Sequence, residues 1–153
     1  MSAPAPVIRQ AVPADAAAWA RLRLGLWPDA DDPVDALALS LADTDGAVLL
    51  ACTADGEAIG FAEVRLRRDY VNGTDSSPVG FLEGWYVQPG WQGQGTGRTL
   101  LDAAAAWTRA AGCSELASDS ALDAVAAHAA HRACGFEETE RVVYFRMALQ
   151  PLP

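Results

Sequence analysis

Several classes of protein are set aside by what this sequence has little of. Met1-Ser2-Ala3-Pro4-Ala5-Pro6 has no basic segment followed by an apolar run, so no secretory leader is expected. No apolar stretch is long enough to span a bilayer. Cysteine is scarce. Cys52, Cys113 and Cys134 are odd in number and match no metal or redox spacing, so reduced thiols in the core of a cytoplasmic protein are expected, and no metal. Positive charge is scarce as well: 11 Lys and Arg stand against 20 Asp and Glu, a net charge of −9. Nucleic-acid binding depends on cations that neutralise phosphates, and the charge argues against it. The acidity suits a cationic partner drawn in by long-range steering, and it equally suits plain solubility. There are no repeats, linkers or low-complexity segments beyond an alanine bias.

What is present is a core and one unusual turn. With 153 residues, 51% of them hydrophobic, a single packed domain over residues 1–153 is expected. The chain is organised around Val87-Gln88-Pro89-Gly90-Trp91-Gln92-Gly93-Gln94-Gly95-Thr96-Gly97-Arg98-Thr99-Leu100-Leu101. An apolar strand runs into a glycine-rich turn that opens into an alanine-rich helix. Glycines let successive N–H groups curl inward, and the helix N-terminus adds its dipole; together they bind phosphate with backbone. Two familiar phosphate loops fail here. A P-loop needs Gly at the position of Gln92 and Lys at that of Arg98; the dinucleotide fingerprint needs Gly at 98. Gln92-x-x-Gly95-x-Gly97 after a strand resembles instead the acetyl-CoA pyrophosphate loop of the GCN5-related N-acetyltransferases. That resemblance implies acetyl-CoA as co-substrate, held by Gln92, Gly93, Gly95, Thr96, Gly97 and Arg98 and by the strand end Trp85, Tyr86 and Val87.

The rest of the chain gives a compatible order of elements. Val7 to Val12 reads as a strand. Pro13 and Asp15 open a helix whose Trp19, Leu22 and Leu26 recur at helical spacing and face the core. Asp32 is placed to cap a second helix with Pro33 first in it, and with Val34, Leu37 and Leu41 inward. Ala47 to Thr53 and Ala58 to Arg67 form a hairpin around Ala54-Asp55-Gly56-Glu57. A loop from Arg68 to Pro78 leads to the central strand, Val79 to Val87, where Gly84 suggests a bulge or a close approach by another group. The helix after the turn ends before Gly112. Ser114 to Ser118 is a strand, a helix runs to Cys134 and Gly135, and the last strands span Phe136 to Leu149. Hairpins come first and helical crossovers later, which gives an α/β (α+β) chain with a mixed central sheet flanked by helices. This is also the order of the GCN5-related N-acetyltransferase fold.

A narrower resemblance is carried by Leu26-Trp27-Pro28, Asp69-Tyr70-Val71-Asn72-Gly73, Asp75-Ser76-Ser77-Pro78, Phe81-Leu82-Glu83-Gly84, Ala117-Ser118-Asp119 and Gly135-Phe136-Glu137-Glu138-Thr139-Glu140-Arg141-Val142. In this order they are similar to segments of bacterial aminoglycoside 6'-N-acetyltransferases, over about Val7 to Leu149. The resemblance implies aminoglycoside as acceptor, with Trp27, Tyr70, Glu83, Asp119 and Glu140 on the drug, and a homodimer. The residue types agree, since carboxylates and aromatic faces suit a polycation. Other readings stand beside these: Trp27 as core, Asp119 as a cap for the following helix, Glu140 as a solvated strand residue. A carboxylate inside an apolar strand is costly without a partner, which singles out Glu83. It is the first candidate to take the proton of the incoming amine, Asp119 the second. Backbone N–H groups of Tyr86 or Val87 are candidates for the oxyanion. Ala124 and His131 stand where the superfamily often has Asn and Tyr, so the proton donor to the leaving thiolate is His131, Tyr144 or solvent. Two alternatives remain at this point: acetylation of another amine, such as a polyamine or a peptide amine, and a non-catalytic acyl-CoA-binding module.

Overall fold

A computed structural model describes residues 4–153; residues 1–3, part of the stretch read for a leader, lie outside it. The chain divides into two compact units, one ending at Asp119 and the other Ser120–Pro153.

In the first unit a five-stranded sheet has the order β1 (Val7–Gln10), β2 (Gly46–Cys52), β3 (Ala58–Arg67), β4 (Val79–Val87), β5 (Leu116–Ser118). The first four strands pair antiparallel and β5 joins β4 in parallel, so the sheet is mixed as expected. Three helices accompany it: α1 (Ala16–Leu26), α2 (Ala36–Ala42) and α3 (Thr96–Ala110). The middle strands read as nearly continuous apolar runs because helices cover both faces. Leu50, Phe61, Trp19 and Leu22 are buried together on the face under α1 and α2. On the other face α3 lies so close that a methyl on Gly80 would fall 2.5 Å from Thr108 of that helix, and one on Gly60 3.2 Å from Leu100. Each fully buried large side chain contributes roughly 1.5–3 kcal/mol.

Local signals act largely as read. Asp15 accepts the Val12 N–H at 2.7 Å and pairs with Arg9 at 2.7 and 2.8 Å, which closes the corner between β1 and α1. Gly56 takes φ +87° in the β2–β3 turn and Gly112 φ +89° after α3, both costly for a side chain.

Two expectations fail in this unit. Asp32 caps nothing: α2 begins at Ala36 after a turn, and Asp32 is drawn instead to Arg23. The later start rotates Val34 out of the helix, and it is 103% exposed rather than inward. The hydrogen bond from Ala36 N–H to Pro33 O shows the turn that displaced the helix start.

The second unit holds α4 (Val125–Ala133), followed by Gly135 at φ +97°. The strands expected over Phe136 to Leu149 are not formed. Phe136 to Pro153 has no regular secondary structure, and Val143, Tyr144, Phe145, Met147 and Leu149 are exposed. β-branched and aromatic content is a preference for a pleated, half-covered surface, and a strand exists only where a neighbour takes up its backbone groups. No helix among the described residues is long and apolar enough to cross a membrane.

Candidate active site

β4 sets the site because it changes character halfway along. On the β3 side, Glu63 pairs with Gly84 while the next pair is Val64 with Leu82, so Glu83 is the extra residue of a bulge. The bulge breaks the strict alternation. Phe81 and Glu83 meet Arg67 and Arg65 on the face that carries α1, yet Gly84 and Tyr86 turn to that same face. The close approach at Gly84 comes from within the chain: a Cβ there would lie 2.7 Å from the Trp27 ring and 3.0 Å from Phe61. Glu83 therefore sits next to the floor on which Trp27 rests.

On its other side β4 pairs with β5 for three residues, ending at Leu82 opposite Ser118. The next residue is Glu83 within β4 and Asp119 just past the end of β5, so each carboxylate follows directly on the last pair of the parallel register. Past Leu82, β4 has no strand neighbour on the β5 side among the described residues. This leaves a backbone edge through Trp85, Tyr86 and Val87 that an extended chain of amides can pair with. The edge runs straight into the glycine turn.

The turn fits a pyrophosphate. Gly93 has φ +75° and Gly95 φ +87°, and a Cβ on either would meet nothing within 4 Å, so the concave side is open. Gly95 is the N-cap of α3, whose first N–H groups have no intrahelical partner and point at the opening. Thr96 Oγ1, at the first residue of α3, is buried without a hydrogen-bond partner among the described residues. Gln92 braces the loop by donating to Val87 O at 2.8 Å, so its side chain supports the turn. Gly97 lies against the Trp85 indole, whose N–H donates to Gly97 O at 2.8 Å. Arg98 is exposed on the first turn of the helix.

The remaining predicted residues fall as follows. Trp27 is the C-cap of α1, half-buried against Phe61 with ring centroids 6.1 Å apart. Tyr70 lies on the connection between β3 and β4 and is 75% exposed. Asp119 is exposed and is not a cap, since the N-cap of α4 is Ala124. Glu140 belongs to the second unit and is exposed on its C-terminal segment. His131 is tied to that unit's own structure. Its Nδ1 lies 2.6 Å from Ala127 O and its ring packs on Phe136 with centroids 5.0 Å apart. Tyr144 is exposed. Glu83 is also not the enclosed carboxylate expected within an apolar strand. Its side chain is about one-third exposed (35%), 3.5 Å from Arg67 and 3.8 Å from Arg65, because the bulge lifts it out of the sheet interior. No group of three His, Cys, Asp or Glu residues among those described is placed to hold a metal.

Sequence reasoning passed over one cluster beside the site. Arg23 lies between the Trp19 and Trp27 rings, 4.6 and 4.7 Å from their centroids. It donates to Asp32 at 2.9 and 3.2 Å and to both oxygens of Glu63, 2.5 Å to Oε2; Trp19 Nε1 donates to Glu63 at 2.9 Å. Burial pushes the Glu63 carboxyl above its usual range, and Arg23 and Trp19 oppose that push. The signal was Trp19-Arg23-Trp27 at steps of four, with a lone carboxylate in the apolar run of β3.

Mixed sheet, bulged central strand, short parallel partner and phosphate turn together define a class. The chain belongs to the acetyltransferase (GNAT) family, whose sequence profile matches residues 14–136. Within that class, it is 78% identical over 151 residues, 99% of both chains, to aminoglycoside N(6')-acetyltransferase type 1 of Stenotrophomonas maltophilia. Aminoglycoside 6'-N-acetyltransferase AAC(6')-Ih from Acinetobacter baumannii superposes with a TM-score of 0.89 at 38% identity, over 95% of this chain and 99% of that one. A structure of AAC(6')-Iy in complex with a bisubstrate analogue, CoA-S-monomethyl-acetylneamine, gives 0.88 at 41% identity, over 95% and 100%.

Proposed function

We propose that this chain transfers the acetyl group of acetyl-CoA to the 6'-amino group of aminoglycoside antibiotics and so inactivates them. The observation that carries the reading is the β4–β5 register, in which Glu83 and Asp119 each follow the last pair, where β4 loses its neighbour and leads to the phosphate turn. Substrate types follow from the residues. An open glycine cradle at a helix N-terminus suits a pyrophosphate, and carboxylates beside an indole suit an ammonium-rich sugar.

The residues divide the work as follows. Glycines 93 and 95 and the first turn of α3, including Thr96 and Arg98, hold the pyrophosphate; Gln92 holds the turn in shape. The β4 edge at Trp85, Tyr86 and Val87 pairs with the pantetheine amides and offers an N–H to the developing oxyanion. Glu83 and Asp119 bind the acceptor ammonium, and one takes its proton directly or through water. The neutral nitrogen then attacks the thioester carbonyl, the C–N bond forms, the C–S bond breaks, and the thiolate leaves with a proton. No covalent enzyme intermediate is required, since orientation supplies the rate. Trp27 and Tyr70 line the drug. The His131 contacts favour a structural role, which leaves solvent as the proton donor.

We also propose that the chain works as a cytoplasmic homodimer, a single acetyltransferase domain per copy. The exposed apolar run Val142 to Leu149, with Phe145 92% exposed, supports a second copy as what covers it. Light scattering should give twice the chain mass, and Phe145→Asp should give the monomer.

The activity is tested by following thiol release with acetyl-CoA and a panel of amines. Kanamycin A and amikacin should turn over well, spermidine and a peptide amine poorly. Turnover of spermidine above kanamycin A would favour the general amine acetyltransferase; no turnover of any would favour the binding module.

A further inference from the structure

We propose that Arg23 is a positioning residue for the acceptor site, setting Trp27 against the Glu83–Gly84 bulge. One guanidinium joins three separate segments. Its Nε and Nη2 hold Asp32 on the loop after α1, its Nη1 holds Glu63 on β3, and its plane supports Trp27 at the end of α1. Glu63 is the residue paired with Gly84, and the Trp27 ring occupies the space a side chain at Gly84 would fill. Arg23, Trp27 and Asp32 also line a cleft of about 500 Å³ with Leu26, Pro28 and Asp29. The network therefore fixes both a wall of this cleft and the indole that packs over Gly84, the residue after Glu83.

A purely structural role accounts poorly for such a cluster. Buried ion pairs are a weak source of stability, and apolar replacements of similar volume are often as stable or more so. What a bidentate fork between two rings supplies is a fixed geometry. Trp27 without Arg23 keeps its contact with Phe61 but loses support on one face. The indole, and the Pro28–Asp32 loop that follows it, then have freedom that the acceptor must remove on binding.

The inference rests on the aminoglycoside reading, so wild-type turnover of kanamycin A is measured first; its absence would overturn that reading and this inference with it. The full-length R23M/E63Q double variant keeps buried volume and removes the buried Arg23 and Glu63 charges together, leaving only Asp32, which is partly open to water, without its partner. It should raise KM for kanamycin A by about tenfold, with KM for acetyl-CoA within about twofold of wild type. R23K, which keeps charge but loses the fork, should raise the kanamycin KM by roughly threefold. In a W27F background the effect of R23K should shrink to less than about twofold, because Arg23 acts through the indole. An unchanged kanamycin KM in R23K overturns the proposal. So does a parallel loss in both KM values, or an R23K effect that persists undiminished in W27F. If the double variant does not fold, R23K alone and with W27F decides.

Discussion

Glu83 and Asp119 reach the site by different routes. Glu83 is lifted out of the alternation of β4 by a bulge, and Asp119 is the first residue after β5. Both are solvent-reachable, which suits groups that exchange water for an ammonium. Glu83 forms ion pairs with Arg67 at 3.5 Å and Arg65 at 3.8 Å, both long, so an acceptor ammonium competes with two half-exposed guanidinium groups for it. Charge removal at constant shape tests the pair. Glu83→Gln and Asp119→Asn should each lower kcat/KM for kanamycin A by about 1.5–3 kcal/mol, the worth of a charge-assisted hydrogen bond, or roughly ten- to a hundredfold. Calorimetry should find CoA affinity near wild type in both. Full activity in both variants would make these carboxylates bystanders.

The glycine turn and the β1–α1 corner each make a separate prediction. Gly95 combines a left-handed backbone with open space, so Gly95→Val adds strain of roughly 1–2 kcal/mol and fills the cradle at once. A folded Gly95→Val protein should lose CoA binding by at least about tenfold in calorimetry. Retained affinity would remove the turn from the cofactor site. At the corner, Arg9 holds the Asp15 carboxyl down at about 2, helped by the Val12 N–H and opposed by partial burial. Asp43 is lowered too, chiefly by the Asp45 N–H and then by Arg65. A depressed folded pKa means the unfolded chain binds protons first as pH falls. The stability Asp15 gives is fully present above its ordinary value near 3.8 and is lost as pH drops toward about 2, and that from Asp43 is likewise lost as pH falls. Urea midpoints at about pH 5 and pH 2.5 should show the advantage of wild type over Asp15→Asn shrinking in acid. A constant or growing gap would contradict it.

Across the molecule, the parts legible in the sequence are those governed by local chemistry. The hairpin Gly46–Arg67, the limits of β4 and the turn into α3 follow from alternation, glycine placement and helix periodicity. Two kinds of feature were not legible. One depends on partners distant in sequence: Arg23 meets Glu63 forty residues on, and Asp32 leaves its expected cap to join them. The other depends on a neighbour the segment itself does not specify. Val142 to Leu149 is an apolar, β-prone run that reads as a strand, yet no strand among the described residues takes up its backbone. The site was partly legible. The phosphate turn could be read from its glycines, whereas the pairing of Glu83 with Asp119 needed the parallel register of β4 and β5. The central claim is that the assembled site presents one amine, the 6' nitrogen, to the thioester. The most direct measurement is NMR and mass spectrometry of the kanamycin A product, with paromomycin, which has a 6'-hydroxyl and several other amines, as comparison. The account predicts a single acetyl group on the 6' nitrogen and poor turnover of paromomycin. An acetyl group on any other kanamycin amine, or equal turnover of paromomycin, would contradict it.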